Sequence, residues 1–217
     1  MKTNYEEIAN KYSYHHALGG NDTSGGLEQN KVEMLMFCGL LQEKKIKTIL
    51  EIGLAQGHFS KFLEECGLEV TGITKDETLL RYKPTVIWIG DSKKYTQIGE
   101  FDLVFVDGDH SYEGVKADYE RYKGKCKFMA FHDILGLRDC EGVRKLWHEV
   151  RGKDFVQFID PGDRNAASGI GVIEIKKEKK VVPQPPKSKP PKIQVYTGSP
   201  TVIKGKQKAK KGRPKKK

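Results

Sequence analysis

TILEIGLAQGHFS, residues 48–60, decides the fold. Thr48 to Ile52 is a short apolar run broken only by Glu51. Gly53, Ala55 and Gly57 then alternate with larger residues, and a helix is expected over His58–Cys66. The unit described is strand, tight turn, helix. Small residues in such a turn let the backbone come close to a ligand, to which the helix offers its first N–H groups. The spacing is not the G-x-G-x-x-G of dinucleotide-binding turns.

Outward from this unit, short apolar runs alternate with helical stretches. Strands are expected at Thr48–Ile52, Val70–Ile73, Thr85–Ile89, Phe101–Val106, Phe128–Phe131, Phe155–Ile159 and Gly169–Ile175. Further helices are expected at Glu77–Tyr82, Tyr112–Tyr122 and Glu141–Val150. Another falls within Leu27–Lys45, where Val32, Leu35, Met36, Leu40 and Leu41 recur at helical spacing. Strands that are apolar throughout and alternate with helices imply an α/β fold, a mostly parallel sheet covered on both faces. Such sheets bind ligands beyond the carboxyl ends of their strands. The residues just after each strand therefore carry the functional information.

Charge divides the chain. Residues 1–175 hold 23 basic and 28 acidic residues, a net −5, whereas residues 176–217 hold 16 basic residues and only Glu178, a net +15. Too few apolar residues remain after Lys176 to offset ordering entropy, so residues 176–217 read as a disordered Lys/Pro-rich tail. Residues 1–27 are polar, with Gly19-Gly20 and Gly25-Gly26, and read as a mobile lead-in with room for one short helix. The folded domain is expected over residues 28–175. Cys38, Cys66, Cys126 and Cys140 have no C-x-x-C spacing and read as buried thiols in a reducing cytosol. No apolar run approaches the ~18 residues of a membrane helix, and Met1 to Asn10 is too polar for a signal peptide. A soluble, cytoplasmic protein is expected.

T-I-L-E-I-G-x-A-x-G resembles the first motif of S-adenosylmethionine-dependent methyltransferases. Further matches follow in order: Gly90-Asp91-Ser92, the block FDLVFVDGDHSYEGVKAD at 101–118, FHDI at 131–134 and GVRKLW at 142–147. Over residues 28–175 the chain is similar to the small family related to macrocin O-methyltransferases and the cephalosporin-hydroxylase-like methyltransferases. The resemblance implies a Rossmann-like, seven-stranded, mostly parallel sheet with helices on both faces, and S-adenosylmethionine as cofactor. It implies that Glu51, Gly53, Ala55 and Gly57 line the methionine part of the cofactor. Asp91 and Ser92 would meet the adenine, and Asp107 would lie between cofactor and acceptor. Many relatives end strand two with an acid that holds the ribose; here that position is Thr74, with Asp76 or Glu77 as substitutes.

Asp107, Asp109, His110, His132 and Asp133 form a second constellation at the ends of strands four and five. Several relatives bind a divalent cation at this place, which here implies Mg2+ on Asp107 and Asp133, lowering the pKa of an acceptor hydroxyl. Without a cation, His110 or His132 would serve as general base beside Asp107. The plain alternative is that Asp107 and Asp109 shape the turn and cap the helix at Tyr112. His58 reads as a first-turn helix residue and His15-His16 as a solvated pair.

The chain lacks both the Asp/Asn-Pro-Pro-aromatic motif of amino-methylating DNA enzymes and the Pro-Cys nucleophile of cytosine C5 enzymes. O-methylation of a sugar or other small metabolite fits best. The tail ends in Lys211-Gly212-Arg213-Pro214-Lys215, which resembles the core of an AT-hook. It suits non-specific contact with nucleic acid or another polyanion. The competing reading is a nucleic-acid-associated protein whose methyltransferase-like body is a scaffold recruited by the tail. A third is altered chemistry on the same fold.

Overall fold

The computed structural model describes residues 3–14, 26–95, 98–162 and 168–176. The chain divides into two units, Met1–Glu178 and Lys179–Lys217, and every described residue belongs to the first. The basic tail from Lys177 onward, including its AT-hook-like end, lies outside the described residues, as do His15 and His16.

Seven strands form one sheet: β1 (Thr48–Ile52), β2 (Glu69–Thr74), β3 (Val86–Ile89), β4 (Phe101–Val106), β5 (Cys126–Phe131), β6 (Phe155–Phe158) and β7 (Ile170–Glu174). Their order is β3-β2-β1-β4-β5-β7-β6. The first five are parallel, and β7 runs antiparallel between β5 and β6. The direction of winding reverses between β1 and β4, where α/β sheets open a crevice.

Successive side chains of the central strands point to opposite faces, and each face has its own core. On one side Ile49, Leu103 and Phe105 meet Phe37 of α2 (Lys31–Glu43) and Phe59 and Phe62 of α3 (His58–Glu65). On the other, Leu50, Val104, Val106 and Phe131 meet Val115 and Tyr122 of α4 (Tyr112–Tyr122) and Trp147 of α5 (Glu141–Val150). The Trp147 indole covers Gly171 of β7, where a Cβ would lie 2.6 Å from the ring.

Three expectations change. Residues 3–14, read as part of a mobile lead-in with room for one short helix, hold that helix, α1 (Tyr5–Ala9), and a following turn, but packed on the domain. Ala9 is fully buried there, with Tyr5, Ile8, Tyr12 and Tyr14 packed against the core. The helix expected over Glu77–Tyr82 is only a 3-10 turn, Glu77–Leu79. Asp76 caps it, and the N–H groups of Arg81 and Tyr82 donate to the Gln56 carbonyl, so the segment closes onto the glycine turn instead of winding on. A second 3-10 turn, Ser92–Lys94, follows β3 where no element was expected.

Candidate active site

The strand exits form a staircase of main-chain hydrogen bonds. Gly90 N–H donates to Thr74 O at 2.7 Å, Gly53 N–H to Ile73 O at 2.9 Å, Asp107 N–H to Ile52 O at 2.8 Å, and His132 N–H to Val106 O at 3.1 Å. Each residue just past a strand is thus pinned to the end of a neighbouring strand. These are the positions that the resemblance singled out.

Within the first turn the three small residues have different tasks. Gly53 sits at φ +89°, and a Cβ there would lie 2.1 Å from the Asp107 carbonyl oxygen. Its missing side chain lets the turn lie against the exit of β4. Gly57, at φ +84°, abuts the Tyr82 carbonyl, where a Cβ would lie 2.0 Å away. Ala55 holds the left-handed region at φ +43°. Beneath the turn, Glu51 is 1% exposed and accepts a hydrogen bond from the Ser60 hydroxyl of α3. Burial, opposed by that bond and reinforced by the Asp107 charge, pushes its carboxyl up to about 8.

A cavity of about 580 Å³ opens over these exits. It is lined by Gly53, Ala55, Thr74, Ser92, Asp107, His110, His132 and Asp133 among the expected residues. Glu51, Gly57 and Asp91 do not line it. Glu51 borders a small adjoining hollow with Gly53, Ala55 and His58. Gly57 serves the contact with Tyr82. Asp91 turns its carboxylate to the Lys93 N–H at 3.0 Å, capping the second 3-10 turn. Of the two substitutes for Thr74, Asp76 lines the cavity and Glu77 does not. The Thr74 hydroxyl donates to the Asp76 carbonyl at 3.2 Å.

Other lining residues went unassigned. Asp118 reaches the cavity from α4, 1% exposed, and accepts a 2.5 Å hydrogen bond from the Ser92 hydroxyl. Burial, opposed by that bond, raises its carboxyl above the usual range. Its signal lay in the helix pattern, since Val115, Asp118 and Tyr122 share one buried face. From the small adjoining hollow, Gln29 Nε2 donates to Asp107 Oδ2 at 3.3 Å. The buried Glu33 carboxylate accepts from the N–H groups of Asp160 and Gly169, tying down both ends of the loop between β6 and β7. Ser168 of that loop lines the cavity. Spacing in sequence carries no trace of these contacts.

At the ends of β4 and β5 the expected constellation converges. His132 Nδ1 lies 3.3 Å from Asp107 Oδ1 and 3.2 Å from Asp133 Oδ2. His110 Nε2 lies 3.4 and 3.3 Å from the same two atoms. Burial opposes charge on His132, but the Asp107 and Asp133 carboxylates outweigh it and raise the imidazole well above its ordinary value. The hydrogen bond to Asp107 likewise raises His110, against the effect of burial. Asp107 is itself held well below the usual carboxylate range, because the two imidazoles outweigh its desolvation. Asp109 stands apart from this cluster. It accepts from the Ser111 N–H and hydroxyl at 3.1 and 2.6 Å and shapes the turn into α4, as the plain alternative held for this one residue. Asp107 and Asp133, the two oxygen donors expected for Mg2+, thus converge here, with two imidazole nitrogens beside them.

No protein-family model and no curated protein matches this sequence. Solved structures do. An O-methyltransferase from Bacillus cereus in complex with SAH superposes with a TM-score of 0.52 at 14% identity, over 79% of this chain and 90% of that one. The SAH-bound methyltransferase PaMTH1 of Podospora anserina gives 0.52 at 15% identity, over 79% of this chain and 87% of that one. The chain therefore has the Rossmann-like fold of S-adenosylmethionine-dependent methyltransferases.

Proposed function

We propose that this protein is an S-adenosylmethionine-dependent methyltransferase that transfers the methyl group to a hydroxyl of a sugar or other small metabolite. The observation that carries this reading is the charge of the cavity at the strand exits. Six carboxylates line it, those of Glu28, Asp76, Asp107, Asp109, Asp118 and Asp133, against two permanent cations, Lys75 and Arg138. S-adenosylmethionine brings a sulfonium and an ammonium, so an acidic crevice suits it, where a nucleotide rich in phosphate would be repelled. The likeness to two SAH-bound methyltransferases supports the same ligand.

In this reading Gly53 and Ala55 admit the methionine end, Thr74 and Asp76 meet the ribose, and Ser92 and Asp118 meet the adenine. The sulfonium already activates the methyl group. The protein has to align the acceptor oxygen for in-line attack and take up its proton. The cluster of Asp107, His110, His132 and Asp133 faces the acceptor, and an imidazole that has first released its own proton to solvent takes up the proton of the acceptor. His110, with 39% of its side chain exposed, connects the cluster to solvent.

Calorimetric titration with S-adenosylhomocysteine tests the cofactor half: no binding at millimolar ligand would end the methyltransferase reading. Screening hydroxylated acceptors with labelled cofactor tests the other half. We assign catalysis to residues 28–175, in the cytoplasm, with residues 176–217 as a separate polyanion-attracting tail. No helix among the described residues is long and apolar enough to cross a membrane. Electrophoretic shifts with and without the tail, at two salt concentrations, check its role, since phosphate contacts weaken as salt rises.

A further inference from the structure

A larger cavity, about 1010 Å³, lies at the opposite pole of the sheet, an open groove across the ends where β5 and β6 begin and β7 leads out at Glu174. Its charge is the reverse of that at the strand exits. Lys44, Lys123, Arg151, Lys153 and Lys176 line it, against Asp154 and Glu174. Lys44 meets Glu43 at 2.9 Å and Lys176 meets Asp154 at 3.1 Å, with side chains at least 37% exposed. Exposed pairs of this kind hold weakly and can exchange their carboxylate for a phosphate. Aromatic rings stand between the charges. Tyr119, Phe128 and Phe155 line the same groove, each half-buried. The Lys123 ammonium lies 5.1 Å from the Tyr119 ring centroid, and the Arg151 guanidinium 5.0 Å from that of Phe155.

We propose that this groove binds a single strand of nucleic acid. Such a strand offers phosphates to cations and unpaired bases to aromatic faces, and a basic groove with interleaved rings meets both demands. A duplex keeps its bases stacked inside and would leave the rings unused. A bilayer takes up apolar side chains that project into it. Here Leu40, Val172 and Ile173 form a recessed floor, each 8% exposed or less. At the other pole six carboxylates repel the same strand. The nucleic acid is therefore a partner held away from the cofactor and not the methyl acceptor. Lys176 apart, the groove belongs to residues 28–175, so it is distinct from the polyanion attraction assigned to the tail.

Full-length protein is titrated with a fluorescein-labelled oligonucleotide, single-stranded and as a duplex, at several salt concentrations. The tail contributes to every measurement, so the readout is the difference between variants of the full chain. Lys44→Gln, Lys123→Gln and Lys153→Gln combined should lower the slope of log affinity against log salt by roughly 2, at about 0.7 per phosphate contact on a single strand. Tyr119→Leu combined with Phe155→Leu keeps apolar packing but removes the rings. It should weaken single-strand binding at least about 5-fold and leave duplex binding unchanged. Ultraviolet crosslinking should join the strand to peptides that hold Tyr119 or Phe155. Circular dichroism confirms that the variants fold. An unchanged slope in the lysine variant, equal losses on strand and duplex in the aromatic variant, or crosslinks confined to residues 176–217 would each overturn the proposal. So would lysine-dependent binding to phosphatidylserine vesicles with no such dependence for the strand. S-adenosylhomocysteine should bind equally with and without saturating strand, and competition between them would place the nucleic acid in the other cavity and refute the groove. Strand binding without any S-adenosylhomocysteine binding sinks only the methyltransferase reading.

Discussion

Replacing Glu51 by Gln should remove a loss of stability that the wild-type protein suffers as pH rises from 4.5 to about 8. The Glu51 carboxyl is buried under the glycine turn with Ser60 as its hydrogen-bond partner. In the unfolded chain it gives up its proton near 4.5, and in the fold, chiefly through burial, it keeps it until about 8. Between those values the native state binds more protons than the unfolded state, so stability must fall as pH rises. At about 1.4 kcal/mol per pH unit, the full cost above that window is roughly 5 kcal/mol. Urea denaturation of both proteins across about pH 5 to 9 reads the difference directly. Gln leaves one amide N–H group short of an acceptor, but that cost does not vary with pH. Other titrating groups, including His110 and His132, cancel to first order between the two proteins. The stability of Glu51→Gln relative to wild type should therefore climb steadily with pH. If the two profiles run parallel, Glu51 is ionised in the fold and the account of its burial is wrong.

Gly53→Ala should lose both stability and cofactor affinity, because its Cβ falls on the Asp107 carbonyl inside the cavity wall. Gly57→Ala, whose Cβ would fall on the Tyr82 carbonyl outside the cavity, should lose more stability than the about 1–3 kcal/mol of backbone strain alone, while the protein that still folds keeps most of its affinity. Thermal denaturation and calorimetry on the same samples separate the two. Asp118→Asn keeps an acceptor for Ser92 but removes one wall charge, so affinity for S-adenosylhomocysteine should fall by about 1–2 kcal/mol, or roughly 5–30-fold, with folding intact. Asp107→Asn should spare the fold and cut turnover by at least about 100-fold in a labelled-cofactor assay, and full activity would remove the cluster from the mechanism.

The central strands were legible because they are buried on both faces, which leaves unbroken apolar runs such as Phe101–Val106. β5 starts two residues before its apolar run at Cys126, since the intervening Lys127 sends its ammonium out to Asp102 at 2.6 Å. Exits of strands were legible for the same reason as the strands, which is why Gly53, Thr74, Asp107, His132 and Asp133 all reach the cavity. Asp91 illustrates the limit of that logic. It lies two residues past β3, yet its carboxylate is committed to a local N–H, and the acid beside Ser92 that enters the cavity comes from the middle of α4. Position after a strand fixes where a backbone lies and not where a side chain turns. Gln29 and Glu33 reach the site from α2 and the turn before it, across 78 to 136 residues of sequence. Contacts of that kind exist only in three dimensions.

The staircase of exits explains how alignment and chemistry are kept apart in this fold. Gly53 is tied to β2, Asp107 to β1 and His132 to β4, each through its own N–H, and the missing Gly53 side chain brings the cofactor turn against the Asp107 carbonyl. The cofactor turn and the cluster thus share one main-chain frame that does not depend on which side chains the cluster carries. Methyl transfer needs reacting atoms about 3–3.5 Å apart and in line, a demand on position more than on any particular group. With position set by the backbone, positions 107, 110, 132 and 133 can change their chemistry without disturbing the cofactor. Two of the four are imidazoles. They sit where the two strand ends converge, and their protons supply charge that balances the neighbouring carboxylates. It follows that the His110 imidazole can be removed while S-adenosylhomocysteine affinity holds, whereas any substitution that disturbs the Gly53–Asp107 contact should lower affinity and turnover together.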